Sequence, residues 1–149
     1  MTFKKETPPN INELVKKANS IYWKERWDAL AELKAYDCQQ SRDVVTRLAL
    51  HDKVFKVKEE ALHIAQALGI QKGGKPLRLT KKDIGYKPKD FEKIFLRIKR
   101  ETSMEELDIE RFIQHFDILN PEMLDVMKFE KGNGLNKWIE SIYKSLPKK

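Results

Sequence analysis

One stretch of this chain repeats. Shifted by 32 residues, Lys24-Glu25-Arg26-Trp27-Asp28-Ala29-Leu30 lies over Lys56-Val57-Lys58-Glu59-Glu60-Ala61-Leu62, with Lys, Ala and Leu identical. Arg26 falls on Lys58, Asp28 on Glu60, and Trp23 meets Phe55 just before. A period of this size suits a unit of two helices, which cannot bury its apolar faces alone and so stacks on its neighbour. The flanking periodicity agrees. Ile11, Leu14, Val15 and Ala18 mark a short helix capped by Asn10, with Pro8 and Pro9 holding the chain extended before it. A second helix is expected over 23–34, and a third over 41–50 with Ser41 as its cap. The fourth carries Val54, Val57, Ala61, Ile64, Ala65 and Leu68 on one side, with Asp52 as its cap and Gly69 as the residue past its end. Ala29 and Ala61 are expected at equivalent buried contacts.

The segment Asp52 to Gly69 resembles the second helix of a HEAT repeat. That family's pattern has an Asp in the turn, then Val-Arg or Val-Lys, an Ala three residues on, and a closing Leu-Gly. Val57-Lys58, Ala61 and Leu68-Gly69 fill those slots, whereas the first copy has Glu25 where the family prefers Val and no closing Gly. The resemblance covers about residues 10–70 and implies an α-solenoid of two HEAT-like hairpins, a fold used mostly as a binding surface or scaffold.

Two hairpins are few for a solenoid, so the second half is expected to cap the stack. It carries its own apolar stripes: Phe91, Ile94, Phe95, Ile98; Ile109, Phe112, Ile113, Phe116; and Leu135, Trp138, Ile139, Ile142, Tyr143, Leu146. Trp138, in mid-stripe, is expected to anchor the core of that half. Asn120-Pro121 starts a further helix with Pro at its first position, and Gly132-Asn133-Gly134 breaks it. The expected fold class is all-α: an N-terminal extension over 1–10, HEAT-like helices over 11–70, a basic loop over 71–88, and a helical subdomain over 89–149 packed on the hairpins.

Charge is placed unevenly. The chain of 149 residues carries a net +7, yet residues 71–100 alone hold 11 basic and 3 acidic groups, and residues 101–149 hold 7 and 10. A clustered positive field attracts phosphates or acidic surfaces. Lys72, Lys75, Arg78, Lys81 and Lys82 lie in the expected loop. Lys89, Lys93, Arg97 and Arg100 follow at helical spacing opposite an apolar face, so loop and stripe together offer a candidate polyanion-binding surface. Asn and Gln are absent from this stretch apart from Gln71, so base-specific readout is not expected. The bland counterpart is a solvated linker.

Signs of catalysis are few. Gly69-Ile70-Gln71-Lys72-Gly73-Gly74-Lys75 fits most of a phosphate-binding loop, but Pro76 stands where a hydroxyl is needed, and the first Gly ends a helix instead of following a strand. His51, His63 and His115 stand too far apart in sequence to make a helical metal pair, and the single Cys38 excludes an internal disulfide and a cysteine zinc site. No apolar run approaches a membrane span, and the polar, proline-containing start does not read as a signal peptide, so a cytoplasmic protein without cofactor or metal is expected. Trp23 and Trp27, four apart, offer a partner-facing aromatic surface or, as the bland alternative, inter-hairpin core. The expected function is a non-enzymatic HEAT-like module for a protein partner. Nucleic acid or another polyanion bound through residues 72–100 is the alternative. A DNA glycosylase, an activity some HEAT-like proteins have, is a remote third.

Overall fold

The computed structural model describes residues 3–79 and 82–147. Its described residues are helical apart from connecting loops and one two-stranded hairpin, so the fold is all-α. The chain divides at Ile84/Gly85 into two compact units.

The first unit holds α1 (Ile11–Ala18), α2 (Trp23–Leu33), α3 (Gln39–His51) and α4 (Phe55–Ala67). Helix α1 packs on α2 and α3 on α4, while α1 also touches α3 and α2 touches α4. Two hairpins therefore lie side by side, like helix against like helix. Leu30, Leu33, Val45, Val57, Ala61 and Ile64 belong to the buried core of the unit, and Ala29 and Ala61 are both fully buried, as the 32-residue register requires. At Ala18, Ala29 and Ala61 the small side chain lets neighbouring backbones approach closely. Before α1, Lys4 makes a parallel bridge to Tyr36: its N–H donates to the Ala35 carbonyl and its carbonyl accepts from the Asp37 N–H, both at 2.8 Å. The extension is thus strapped across the end of α2.

The register extends to polar contacts at the helix starts. The Ser20 hydroxyl accepts from the Tyr22 N–H at 3.1 Å, and 32 residues on, Asp52 Oδ1 accepts from the Val54 N–H at 2.9 Å. Both bonds run from a turn residue to the N–H two positions later, which fixes the chain as it enters each second helix. Asp52 also receives Arg26 through Nε–Oδ2 at 2.8 Å and Nη2–Oδ1 at 3.2 Å, while Arg26 Nη1 donates to the Ser20 carbonyl at 2.9 Å. This forked ion pair is buried and joins the turns of the two hairpins. Lys58, the register partner of Arg26, is also buried but has no carboxylate partner among the described residues.

Three expected caps are corrected. At α4 the cap position falls to Val54, without a side-chain bond to the helix, and Asp52 stands two residues earlier, at the end of α3. Helix α3 begins two residues before Ser41, because Ser41 is fully buried and its hydroxyl donates to the Leu33 carbonyl at the end of α2. Asn10 stands at the cap position of α1 without a side-chain bond to the helix. Gly69 behaves as expected. With φ at +73° it lets the Ile70 N–H reach the Ala65 carbonyl and the Gly69 N–H the Gln66 carbonyl, the paired bonds of a Schellman ending.

After Gly69 come β1 (Gln71–Lys72) and β2 (Lys75–Pro76), an antiparallel pair in which Lys72 faces Lys75. A loop is the expectation for this stretch, and the two strands are only two residues each. What forms them is the turn: Gly73 and Gly74 take φ of +62° and +78°, the left-handed pair that suits a two-residue hairpin. Beyond it Leu77 is buried, and its carbonyl accepts from Gln66 Nε2 at 3.3 Å, which seats the hairpin's exit on α4.

The second unit holds α5 (Pro88–Thr102), α6 (Ile109–Leu119), α7 (Pro121–Lys131), a single 3-10 turn (Gly132–Gly134) and α8 (Leu135–Ser145). Pro88 and Pro121 stand at first helical positions, Asp90 Oδ2 accepts from the Lys87 N–H at 2.8 Å, and Asn120 Oδ1 accepts from the Met123 N–H at 3.1 Å. Helix α5 packs on α6, α6 on α7, and α8 on both α5 and α7. Phe95 is the hub, edge-on to Phe112 at 4.7 Å, Trp138 at 5.5 Å and Phe116 at 5.7 Å between ring centroids. Trp138 is only half-buried, so the expectation of a fully buried anchor is corrected. Positions 138 and 139 point about 100° apart on a helix, and the inward place goes to Ile139, which is fully buried. The indole instead lies against Phe91 and Phe95 from the side.

Candidate polyanion-binding surface

The basic segment spans both units, and each unit carries its own set of cations. The first is built by the β hairpin. Lys72 and Lys75 are opposite one another across the two-residue turn, which places like charges on adjoining positions. Arg78 follows the buried Leu77, whose anchoring fixes where the arginine leaves the surface. All three cations are exposed, and none has a carboxylate partner among the described residues. With Leu50, Pro76 and Leu77 they line a shallow recess of about 370 Å³. Lys82 is exposed as well. Lys81 lies outside the described residues.

The second set rides on α5. Lys89, Lys93, Arg97 and Arg100 are exposed, while Phe91, Phe95, Ile98 and Thr102 are buried on the other side, so the helix divides as its spacing predicts. Arg97 departs from the expectation of a free stripe. Its Nε donates to Glu101 at 2.6 Å, and the other Glu101 oxygen lies 3.0 Å from His115 Nε2 on α6. The Arg97 hydrogen bond, then the His115 one, holds the Glu101 carboxyl below the usual carboxylate range. Arg97 is therefore paired, while Lys89, Lys93 and Arg100 have no carboxylate partner among the described residues. Lys93 and Arg97 also border a cavity of about 410 Å³ with Tyr86, Asp90, Ile94 and Met123, where Asp90 offsets part of the positive charge.

Sequence reasoning placed the cations but missed their pairing. The spacing of Arg97 and Glu101 carries the signal, since residues four apart on a helix face each other. The hairpin was legible in Gly73-Gly74, a favoured two-residue turn.

Trp23 and Trp27 are both half-buried, and Lys56 from α4 lies over their rings, 4.8 Å from the Trp27 centroid and 5.7 Å from that of Trp23. The aromatic pair is therefore neither wholly core nor an open platform. His51 and His63 are exposed and His115 is half-buried against Glu101. Cys38 is half-buried at the start of α3. Among the described residues no group of His, Cys, Asp or Glu is arranged to hold a metal ion. The glycines that resemble a phosphate loop end α4 and turn the hairpin; they do not open a helix. No described helix is long and apolar enough to cross a membrane. Comparison with protein-family models, with curated proteins and with solved structures finds no match to this chain.

Proposed function

We propose that the chain is a non-enzymatic, HEAT-like helical module that binds polyanions through its two basic sets, without base specificity. One observation carries the reading: Lys72, Lys75, Arg78, Lys89, Lys93 and Arg100 are exposed and have no carboxylate partner among the described residues. By contrast Arg26, Arg42, Lys24 and Arg97 each pair with an acid, and the exposed Lys16 and Lys17 share their hollow with Glu13 and Glu25. Unpaired cations at this density repel one another, and a phosphate chain relieves that repulsion while releasing its own counterions. The like-with-like packing of the two hairpins and their 32-residue register support the HEAT-like part of the reading. The test is a salt titration of binding to duplex DNA and to single-stranded RNA. Replacing Lys89, Lys93 and Arg100 together by Gln should lower the slope of log affinity against log salt by roughly two to three, with the helical signal unchanged. Wild-type protein that binds neither polymer at low salt defeats the reading.

A protein partner on the α2–α4 side is the second reading. It is favoured by Tyr22, 43% exposed at the head of α2, the helix whose Trp27 ring lies under Lys56. Aromatic side chains of this kind anchor interfaces. A catch from cytosol that survives nuclease treatment and is lost in Tyr22→Ser supports it, and a catch released by nuclease supports the polyanion reading.

A further inference from the structure

The recess beside the β hairpin differs in sign from two other concave sites formed by described residues. The cavity by α5 mixes Lys93 and Arg97 with Asp90, and a hollow near α1 mixes Lys16 and Lys17 with Glu13 and Glu25. The hairpin recess has three cations, Lys72, Lys75 and Arg78, no acid among the described residues of its wall, and an apolar side made by Leu50, Pro76 and Leu77. Its geometry is fixed at three points. The Lys72–Lys75 pairing sets two cations facing each other, the Gly73-Gly74 turn closes the hairpin, and buried Leu77 with its Gln66 hydrogen bond seats the exit on α4.

We propose that this recess binds a phosphate monoester carried on an apolar or aromatic body. The inference deepens the polyanion reading and rests on it for the role of the hairpin cations. A monoester is close to a dianion at neutral pH, with a second pKa of about 6. It therefore matches three clustered cations better than the single negative charge of an internal phosphodiester. The lysines supply compact point charges and Arg78 a planar fork that can take two oxygens of one phosphate. The apolar side gives the recess something a bare phosphate leaves unused. A ring laid against Leu50, Pro76 and Leu77 removes apolar surface from water and adds to the affinity. Two sources share this chemistry: a free aryl or nucleoside phosphate, and the phosphorylated end of a nucleic-acid strand.

The experiment follows the methyl signals of Leu50 and Leu77 by NMR in the full chain, titrated with phenyl phosphate, inorganic phosphate and phenol. Phenyl phosphate should shift both residues and bind roughly tenfold more tightly than inorganic phosphate, and phenol should leave them unmoved. Lys72→Gln/Lys75→Gln should abolish the shifts, and Lys16→Gln/Lys17→Gln, in the hollow near α1, should keep them. Removing two lysines that repel each other leaves the fold intact, which the helical signal checks. Single strands of one sequence, with and without a 5′-phosphate, identify the source: a preference for the phosphorylated strand points to nucleic-acid ends, and equal binding points to the free ester. Phenyl phosphate that binds no better than inorganic phosphate, or that leaves Leu50 and Leu77 unmoved, overturns the proposal. If polymers still bind in a salt-dependent way in that case, the polyanion reading stands without the recess. If phenyl phosphate binds and the polymers do not, the polyanion reading falls and the recess remains.

Discussion

Arg26 and Asp52 carry the most consequential polar contact in the first unit. Both are buried, both oxygens of Asp52 are engaged, and the same guanidinium reaches the Ser20 carbonyl. Asp52→Ala leaves a buried guanidinium without its counter-charge and takes away the acceptor for the Val54 N–H. It should cost about 3–5 kcal/mol, measured by urea unfolding, and a loss under about 1 kcal/mol would show that water replaces the carboxylate. At Asp37 the effect is one of pH. A hydrogen bond from Arg42 at 2.6 Å, with the charge of Arg42 behind it, holds the Asp37 carboxyl below its ordinary value. A depressed folded pKa adds stability that is present above the unfolded value of about pH 4 and is lost as pH falls through the folded value. The Asp37 carboxyl carbon followed by NMR should titrate at higher pH in Arg42→Gln than in the wild type. An unchanged midpoint would mean the ion pair does not form in solution. The register placed Arg26 over Lys58 but could not reveal the Asp52 pairing, because its partners are 26 residues apart and meet only when the hairpins stack.

Among the elements, α4 was the most legible. Its apolar spacing, the Asp before it and Gly69 after it all act locally, within a turn or two of the helix, where sequence patterns hold most of the information. Helix α3 was less so. Ser41 reads as a cap by residue type, but its hydroxyl turns to the Leu33 carbonyl, a choice made by packing against α2. Trp138 was misplaced for a related reason: two adjacent apolar residues cannot both point inward, and which one does depends on the neighbours α5 and α7. The alanine contacts were legible because a small residue at a repeated offset marks where two helices approach closely. Ala61 is fully buried between them. Ala61→Leu should overpack that contact and cost about 1–3 kcal/mol, seen as a lower melting temperature. An unchanged melting temperature would mean that α4 has room to shift.

For the molecule as a whole, charge bookkeeping from sequence overstated the basic stripe. It counts Arg97 as a cation, while the fold joins it to Glu101 and brings that carboxylate to His115. The consequence is measurable in a salt titration. Lys93→Gln should lower the slope of log affinity against log salt by about one, whereas Arg97→Gln should leave it nearly unchanged. Equal effects would show that ligand binding pulls Arg97 away from Glu101. The candidate surface was thus readable in position and sign, and unreadable in which of its charges are free.

Lys58 gives the first unit an unfilled valence. Arg26 meets an aspartate from the next turn along, but the residue 32 positions beyond Asp52 is Ile84, so no carboxylate arrives for Lys58 by that register. The side chain is buried along its stem, but no buried side-chain nitrogen among the described residues lacks a partner, so the ammonium tip meets water, and an acid delivered there would gain the attraction by displacing that water. The chain is modular in that sense. A grafted third hairpin, with aspartate in its turn at the Ile84 position, has a docking charge waiting, and the length of the array becomes a matter of design.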